Sequence, residues 1–373
     1  MNNNTTVYIG MDVHHASFTL CSLADGEETP KNVQTIPADY LLVVKYINGL
    51  RKRYGEGTDF ICGYEAGCLG YSLYRSLKDC GQKCVILAPT TMAVEGSNRH
   101  IKTDKRDAKN IAKCLRNHTY RAVHVPTEED EQIKEFIRMR DDVKANLKRI
   151  KQQLLAFCLR HRLVYSETKN HWTKVHLEWL EQLKLEGVYQ EVLDGYLIEL
   201  KRLMETVDRY DKRIEELSQL DTYREPVNKL TCFLGVKRLS ALSIMVEIGD
   251  FMRFPSAEQY AAYLGIVPGE HSSADSRNRL GITKAGNTHV RRLLVESAQS
   301  YGRGKIGHKS KELIKRQQGN TPKVIAYADR ANERLRRKYY QMILRGKTSN
   351  VAKTAVAREL ACFMWGMMTG RID

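Results

Sequence analysis

Four carboxylates in the first 107 residues have the types and spacing to do chemistry together: Asp12 at the end of VYIGMD, Glu65 at the end of FICGYE, and Asp104 with Asp107 in HIKTDKRDAKNIAKCL. Three separate segments could fold to bring these hard oxygen donors to one place, and such donors are what Mg²⁺ takes, with Mn²⁺ able to substitute. Val7, Ile9, Met11 and Val13 alternate with Tyr8, Gly10 and Asp12, so a strand there places Asp12 on the face opposite the apolar set. Phe60, Cys62 and Tyr64 likewise alternate with Ile61, Gly63 and Glu65, and the glycines beside both acids are expected to leave room for a ligand. Asp104 and Asp107, spaced i, i+3, fall on one face of a helix running from about Thr103 to Leu115. Each acid alone reads more readily as a turn, a cap or dipole-favoured surface chemistry. The set as a whole favours a metal site.

The elements that must position these acids alternate between strand and helix. Strands are expected at 6–13, 16–23, 32–36, 59–64 and 83–87, with helices at 38–53, 69–80, 90–97 and 103–116. Three early strands followed by β/α alternation suit a ribonuclease-H-like mixed sheet, in which acids from central strands and a late helix converge. The competing doubly wound nucleotide-binding fold lacks its G-x-G-x-x-G or G-x-x-x-x-G-K-[ST] loop here.

From about Glu128 the chain turns helical. Phe136, Val143, Ile150 and Phe157 fall seven apart, with Ile133, Leu147 and Leu154 between them and Arg140 breaking the series. Leu193, Leu200, Val207 and Ile214 alternate with Tyr196, Leu203, Tyr210 and Leu217, the seam of a coiled coil. We expect this seam to join subunits; an intramolecular helical hairpin is the alternative. Further on, Leu234-Gly235-Val236 between two helices looks like a helix-hairpin-helix turn whose backbone N–H groups could hold a phosphate.

At 373 residues and 42% hydrophobic content the chain can bury a sizeable core. Its net charge is +16, and residues 273–373 carry 22 Lys and Arg against 7 Asp and Glu, so almost all of the excess is C-terminal. An excess of this size points to nucleic acid, because each neutralised phosphate releases counterions. No 18-residue apolar run appears, and MNNNTTVYIG lacks the charged start and apolar middle of a secretory signal, so no membrane partner and a cytoplasmic location are expected. The nine cysteines include no C-x-x-C pair, which fits reduced thiols.

Ser272 and Ser273 lie in an expected loop that runs on to Arg277, Arg279 and Lys284, before a helix opened by Asn287 or Thr288 and carrying Arg291 and Arg292. A hydroxyl among such cations has a route to phosphodiester attack, since they clamp the phosphate and stabilise charge on its oxygens. By itself the motif is also an ordinary solvated loop.

YIGMDVHHASF, YEAGCLG and KTDKRDA, together with YLGIVPGEHSSADS and GITKAGNTHVRRLLVESA, make the chain resemble the DEDD insertion-sequence transposases of the family numbered one hundred and ten and its DNA invertase relatives. The C-terminal segments are the more specific, since their unusual residues run nearly contiguously. The middle helices match only generically. The resemblance implies an α/β plus all-α chain: a RuvC-like, ribonuclease-H-like catalytic domain over 1–125, a helical coiled-coil region over 126–222, and a mostly helical C-terminal transposase domain over 223–373.

It further implies a DNA recombinase with a composite active site. Asp12, Glu65, Asp104 and Asp107 would hold Mg²⁺, and a serine, placed at Ser273 with Ser272 as the alternative, would attack DNA covalently. Lys105, Arg106, Arg277, Arg279, Lys284, Arg291 and Arg292 are the expected nucleic-acid contacts. Expected partners are double-stranded DNA, a structured non-coding guide RNA, and further copies of the chain as a homo-oligomer, either a dimer or, in the working complex, a tetramer. The alternatives are a metal-only nuclease or Holliday-junction resolvase, and an inactive nucleic-acid-binding regulator.

Overall fold

A computed structural model describes residues 5–93, 103–168 and 170–372, apart from residues 274 and 275 and the side chains of residues 271–279. The chain divides into two compact units, Met1–Val125 and Pro126–Asp373.

In the first unit the alternating segments form β1 (Thr6–Val13), β2 (Ser17–Ala24), β3 (Lys31–Pro37), α1 (Tyr40–Tyr54), β4 (Asp59–Glu65), α2 (Ser72–Asp79), β5 (Lys83–Leu87) and α3 (Asp104–Asn117). Every expected strand is present, its ends within a residue of those read from the sequence. Of the expected helix 90–97, Pro89–Thr91 form a single 3-10 turn, and residues 94–97 lie outside the described residues. The sheet order is β3-β2-β1-β4-β5, antiparallel from β1 to β3 and parallel from β1 to β5. Val7, Ile9 and Met11 pack with Val43, Ile47 and Leu50 of α1 on one face. Tyr8, Ile111, Cys114 and Leu115 pack on the other, beside Ala108 and Ala112.

Helix α3 therefore covers the face that Asp12 shares, and this corrects the reading of the glycines. A Cβ on Gly10 would lie 2.0 Å from the Ala108 carbonyl oxygen, and one on Gly63 would lie 2.8 Å from Leu87 Cδ1. Both glycines admit a close neighbour, but it is the chain's own helix and strand rather than a ligand.

The second unit holds α4 (Glu128–Arg160), α5 (Lys174–Gln182), α6 (Val188–Leu217), α7 (Asp221–Leu230), α8 (Arg238–Ile248) and α9 (Ala257–Tyr263). These are followed by β6 (Pro268–Ser273), β7 (Ser276–Ile282), α10 (Thr288–Ala298), α11 (Lys311–Gln317), α12 (Pro322–Leu344) and α13 (Ser349–Met368). The long helices α4 and α6 close on each other: Leu147, Leu154 and Phe157 pack with Leu193, Leu200, Leu203 and Val207. The residue that broke the heptads completes the seam, because Arg140 donates to both oxygens of Asp211 at 2.7 and 3.0 Å. At its base Ile133, Ile137 and Ile214 enter the core built by α7 to α10, α12 and α13.

The seam expected to join subunits is thus spent within one chain. Periodicity tells that an apolar stripe must be covered, and a long connection lets the second helix return to cover it. Leu200→Asp with Val207→Asp places two charges in this seam, whose burial costs several kcal/mol. The expected result is loss of helical circular dichroism and a lower Tm. A fall in particle mass with native helicity would return the seam to a subunit interface.

None of the cysteines forms a disulfide. Among the described residues no helix is long and apolar enough to cross a membrane.

Candidate active site

The C-terminal ends of β1 and β4 gather the acids of the first unit. Their parallel pairing runs to Met11 and Tyr64, so Asp12 and Glu65 each stand one residue past the last pair on neighbouring strands. Helix α3 begins with Thr103 as its cap, whose side chain accepts from the Arg106 N–H, and carries Asp104 and Asp107 in its first turn, where the helix dipole favours negative charge. Ala108 and Ala112 below that turn let α3 lie close against Gly10, which brings the helix start towards the end of β1.

Asp12, His14 and Asp104 each contribute one donor atom to a group in which all donors lie within 4.8 Å of one another. His14 Nε2 stands 3.3 Å from Asp12 Oδ2 and 3.8 Å from Asp104 Oδ1. Burial, and then repulsion from Asp107 and Asp104, push the Asp12 carboxyl above its ordinary range, while His14 pulls it down. Asp107 is therefore within electrostatic reach of Asp12, although it is outside the compact group. Glu65 also lies outside that group and is exposed. The donor set fits a divalent cation: hard carboxylate oxygens dominate, and adjacent donors around an ion with bonds of about 2.1 Å sit about 3 Å apart, so a small closing movement would suffice.

His14 was missed in the sequence reading. It follows Asp12 by two residues, the strand period, but lies just past the end of β1 in the turn where its N–H donates to the Ser17 carbonyl at 3.0 Å.

The expected serine loop is instead a β-hairpin. Strands β6 and β7 pair Ser273 with Ser276, Ser272 with Arg277, and Glu270 with Arg279, so Ser273 ends its strand. The side chains of Ser272, Ser273, Arg277 and Arg279 lie outside the described residues. The hairpin's exit is firmly seated. Gly265 and Gly286 take positive φ, and a Cβ on either would lie 2.0 Å or less from a carbonyl oxygen of the facing turn, Ala285 for Gly265 and Tyr263 for Gly286. Lys284, exposed and itself left-handed at φ 56°, donates its N–H to the Gly265 carbonyl at 3.0 Å.

Two of the cations expected to contact nucleic acid, Arg291 and Arg292, also have partners within the fold. Arg291 donates to the Leu264 carbonyl at 2.8 Å and the Ala285 carbonyl at 3.3 Å, tying these turns together. Arg292 donates to Asp141 of α4 at 2.6 Å. Asn287 caps α10 and donates to Glu247, whose side chain is 3% exposed and also receives Arg138 at 2.9 Å. Burial pushes the Glu247 carboxyl up, but Asn287, Lys134 and Arg138 outweigh it and hold the group below its ordinary range. Lys105 and Arg106 are exposed at the start of α3.

The Leu234-Gly235-Val236 turn also departs from expectation. The Leu234 N–H donates to Asn332 Oδ1 at 2.8 Å, and a Cβ on Gly235 would lie 2.2 Å from the Ser297 carbonyl oxygen. The turn is packed against α10 and α12, and this N–H has a protein acceptor in place of a phosphate.

A second, denser cationic surface lies along α12. Arg330, Arg334, Arg337, Lys338 and Arg345 line a groove of about 570 Å³ along α12 with only Glu333 and Glu359 as acids. Glu359 is shared by Arg334 and Lys338, and Glu333 pairs with Arg337. Sequence charge alone signalled this region, and the i, i+4, i+7 spacing from Arg330 to Arg337 was its specific sign.

Comparison with known proteins agrees from both ends of the chain. A transposase profile of the DEDD IS110 type matches residues 9–161, and a profile described as "Transposase IS116/IS110/IS902 family" matches residues 227–311. The putative transposase y4qE of Sinorhizobium fredii is 37% identical over 82% of this chain and 74% of its own length. The transposase for insertion sequence element IS1533 of Leptospira borgpetersenii is 31% identical over 89% of this chain and 95% of its own. A probable family 20 transposase of Pseudomonas aeruginosa is 23% identical over 79% of this chain and 80% of its own. Two profiles at opposite ends, and relatives similar along most of the length between, place this chain in the IS110 family of DEDD transposases.

Proposed function

We propose that this chain cuts and rejoins DNA at the ends of a mobile element and at its target, with a divalent-metal site on the first unit and a serine nucleophile on the second. The carrying observation is the approach of Asp12 and Asp104, from the end of a central strand and the start of a late helix. The sheet order 3-2-1-4-5, mixed in direction, supports a ribonuclease-H-like, RuvC-like reading of that unit. Asp12, Glu65, Asp104 and Asp107 are the proposed ligands. Bound there, Mg²⁺ would polarise the scissile phosphate and stabilise a developing charge on oxygen.

Ser273 is the proposed nucleophile. Its Oγ forms a bond to phosphorus as the DNA sugar oxygen leaves, and the phosphoserine linkage keeps the bond energy for resealing by the reverse step. Arg277, Arg279 and Lys284 would face the phosphate, with a structured non-coding RNA proposed as guide. The +15 excess of the last hundred or so residues suits RNA as well as DNA. A homo-oligomer is proposed because joining two DNA ends takes two sites; the heptad seam is not free for that contact. Residues 126–222 and 223–373 are proposed as the coiled-coil and serine regions of the second unit.

The test of the whole is recombination of a plasmid carrying the element with its flanks, in Mg²⁺ and in chelator. Joined products in Mg²⁺ alone support the reading; equal products in chelator remove the metal site. The binding surface is tested separately. Arg337→Gln on α12 with Arg345→Gln at its C-terminal cap is expected to flatten log affinity against log salt by about 0.9 per lost phosphate contact. An unchanged slope in equilibrium titrations excludes the α12 groove as the phosphate surface.

A further inference from the structure

We propose that His14 supplies a nitrogen ligand to the ion held by Asp12 and Asp104, and that this makes the site favour Mn²⁺ over Mg²⁺. The inference rests on the metal reading above and adds to it a donor that the four-carboxylate pattern does not contain. His14 Nε2 is 3.3 Å from Asp12 Oδ2 and 3.8 Å from Asp104 Oδ1, and all three donors fall within 4.8 Å of one another. Donors around one ion of this size sit about 3 Å apart, so His14 and Asp104 must close in on Asp12 by less than about 2 Å. The side chains that must move are free to do so, since His14 is 54% and Asp104 57% exposed, whereas Asp12 is 17% exposed and fixes the place. The backbone is held as well, by the His14 N–H to Ser17 bond closing the turn after β1.

The donor type decides the metal. Mg²⁺ takes oxygen ligands and keeps its waters, whereas Mn²⁺ lies higher in affinity for nitrogen donors and accepts imidazole beside carboxylates. A purely ionic role, with a charged His14 neutralising two aspartates, would place the same atoms at similar distances but would oppose cation binding. The two roles therefore predict opposite responses to removing the ring.

The experiment uses the full chain and Mn²⁺ itself as probe, read by electron spin echo modulation for a nitrogen bonded to the ion and by calorimetry for affinity. The parent is expected to show ¹⁴N modulation, abolished in His14→Ala and retained in His15→Ala, with Mn²⁺ affinity falling at least about tenfold in His14→Ala. Mg²⁺ affinity, measured by competition, is expected to change less, so that the Mn²⁺ preference narrows. Asp12→Asn is expected to remove the bound ion altogether, which ties the signal to this site. Tighter Mn²⁺ binding by His14→Ala, or bound Mn²⁺ without ¹⁴N modulation in the parent, overturns the proposal and leaves the carboxylate site standing. A parent that binds no Mn²⁺ overturns the metal reading and this inference with it.

Discussion

Ser273→Ala is expected to abolish strand exchange and the covalent protein–DNA adduct while nucleic-acid binding stays within about twofold of the parent. The nucleophile has no substitute in the same step, and removing such a group costs on the order of 10⁴-fold or more in turnover. One hydroxyl contributes little to an interface governed by a charge of +15 over the last hundred or so residues, so affinity should hardly register its loss. The fold should not register it either, because Ser273 is the last residue of β6 and its backbone pairing with Ser276 is open to alanine. A suicide substrate nicked near the crossover traps the adduct, and mass spectrometry of the DNA-linked peptide reads the attachment site. Attachment at Ser272 moves the nucleophile to the neighbouring position, which pairs with Arg277 across the hairpin. Full cleavage with no adduct in the parent instead makes water the nucleophile, the chemistry of a metal-only nuclease.

The sequence was most legible where one residue in two is apolar. β1 and β4 alternate cleanly, so their existence, their ends and the acids they carry could be read before any contact was known. The serine hairpin could not, because PGEHSSADSRNRLG has no apolar face and its strands leave no period-2 pattern. The heptads of α4 and α6 announced a seam but not its partner: apolar periodicity is the same whether the covering helix belongs to the same chain or another. Charge showed only half of what two arginines do. Arg291 and Arg292 read as phosphate contacts from their type and their place on the helix after the serine segment; each also has acceptors inside the fold, Leu264 and Ala285 for Arg291 and Asp141 for Arg292, and no local pattern names partners 27 and 151 residues away. Gly10 was read as space for a ligand because its use, admitting Ala108 and Ala112 of α3, depends on a helix nearly a hundred residues on.

Asp12→Asn is expected to cut metal-dependent cleavage at least about 100-fold without lowering thermal stability. Asn keeps the size of the side chain and an oxygen that can still accept from His14, but removes the negative charge a divalent ion requires. The stability side follows from the group's surroundings. Burial and the nearby Asp107 and Asp104 carboxylates raise the Asp12 pKa in the folded protein, so the ionised form is held at a cost in the apo state. A raised folded-state value means that the native state binds its proton more readily than the unfolded chain. Stability from this group is thus lost, not gained, as pH rises through the carboxylate range. A neutral amide removes that cost, and the apo Tm at neutral pH should stay level or rise. The parent should also gain Tm on adding Mg²⁺ or Mn²⁺, because an ion that binds only the folded state stabilises it, and Asp12→Asn should lose that gain. A scan with and without metal, set beside a cleavage assay, separates the two effects in one variant. Near-parental cleavage by Asp12→Asn in Mg²⁺ would sink the shared-site assignment; a collapse in apo Tm would mean that Asp12 holds the end of β1 in place, and its catalytic role would have to be tested through Asp104, whose exposed side chain at the start of α3 carries no comparable packing.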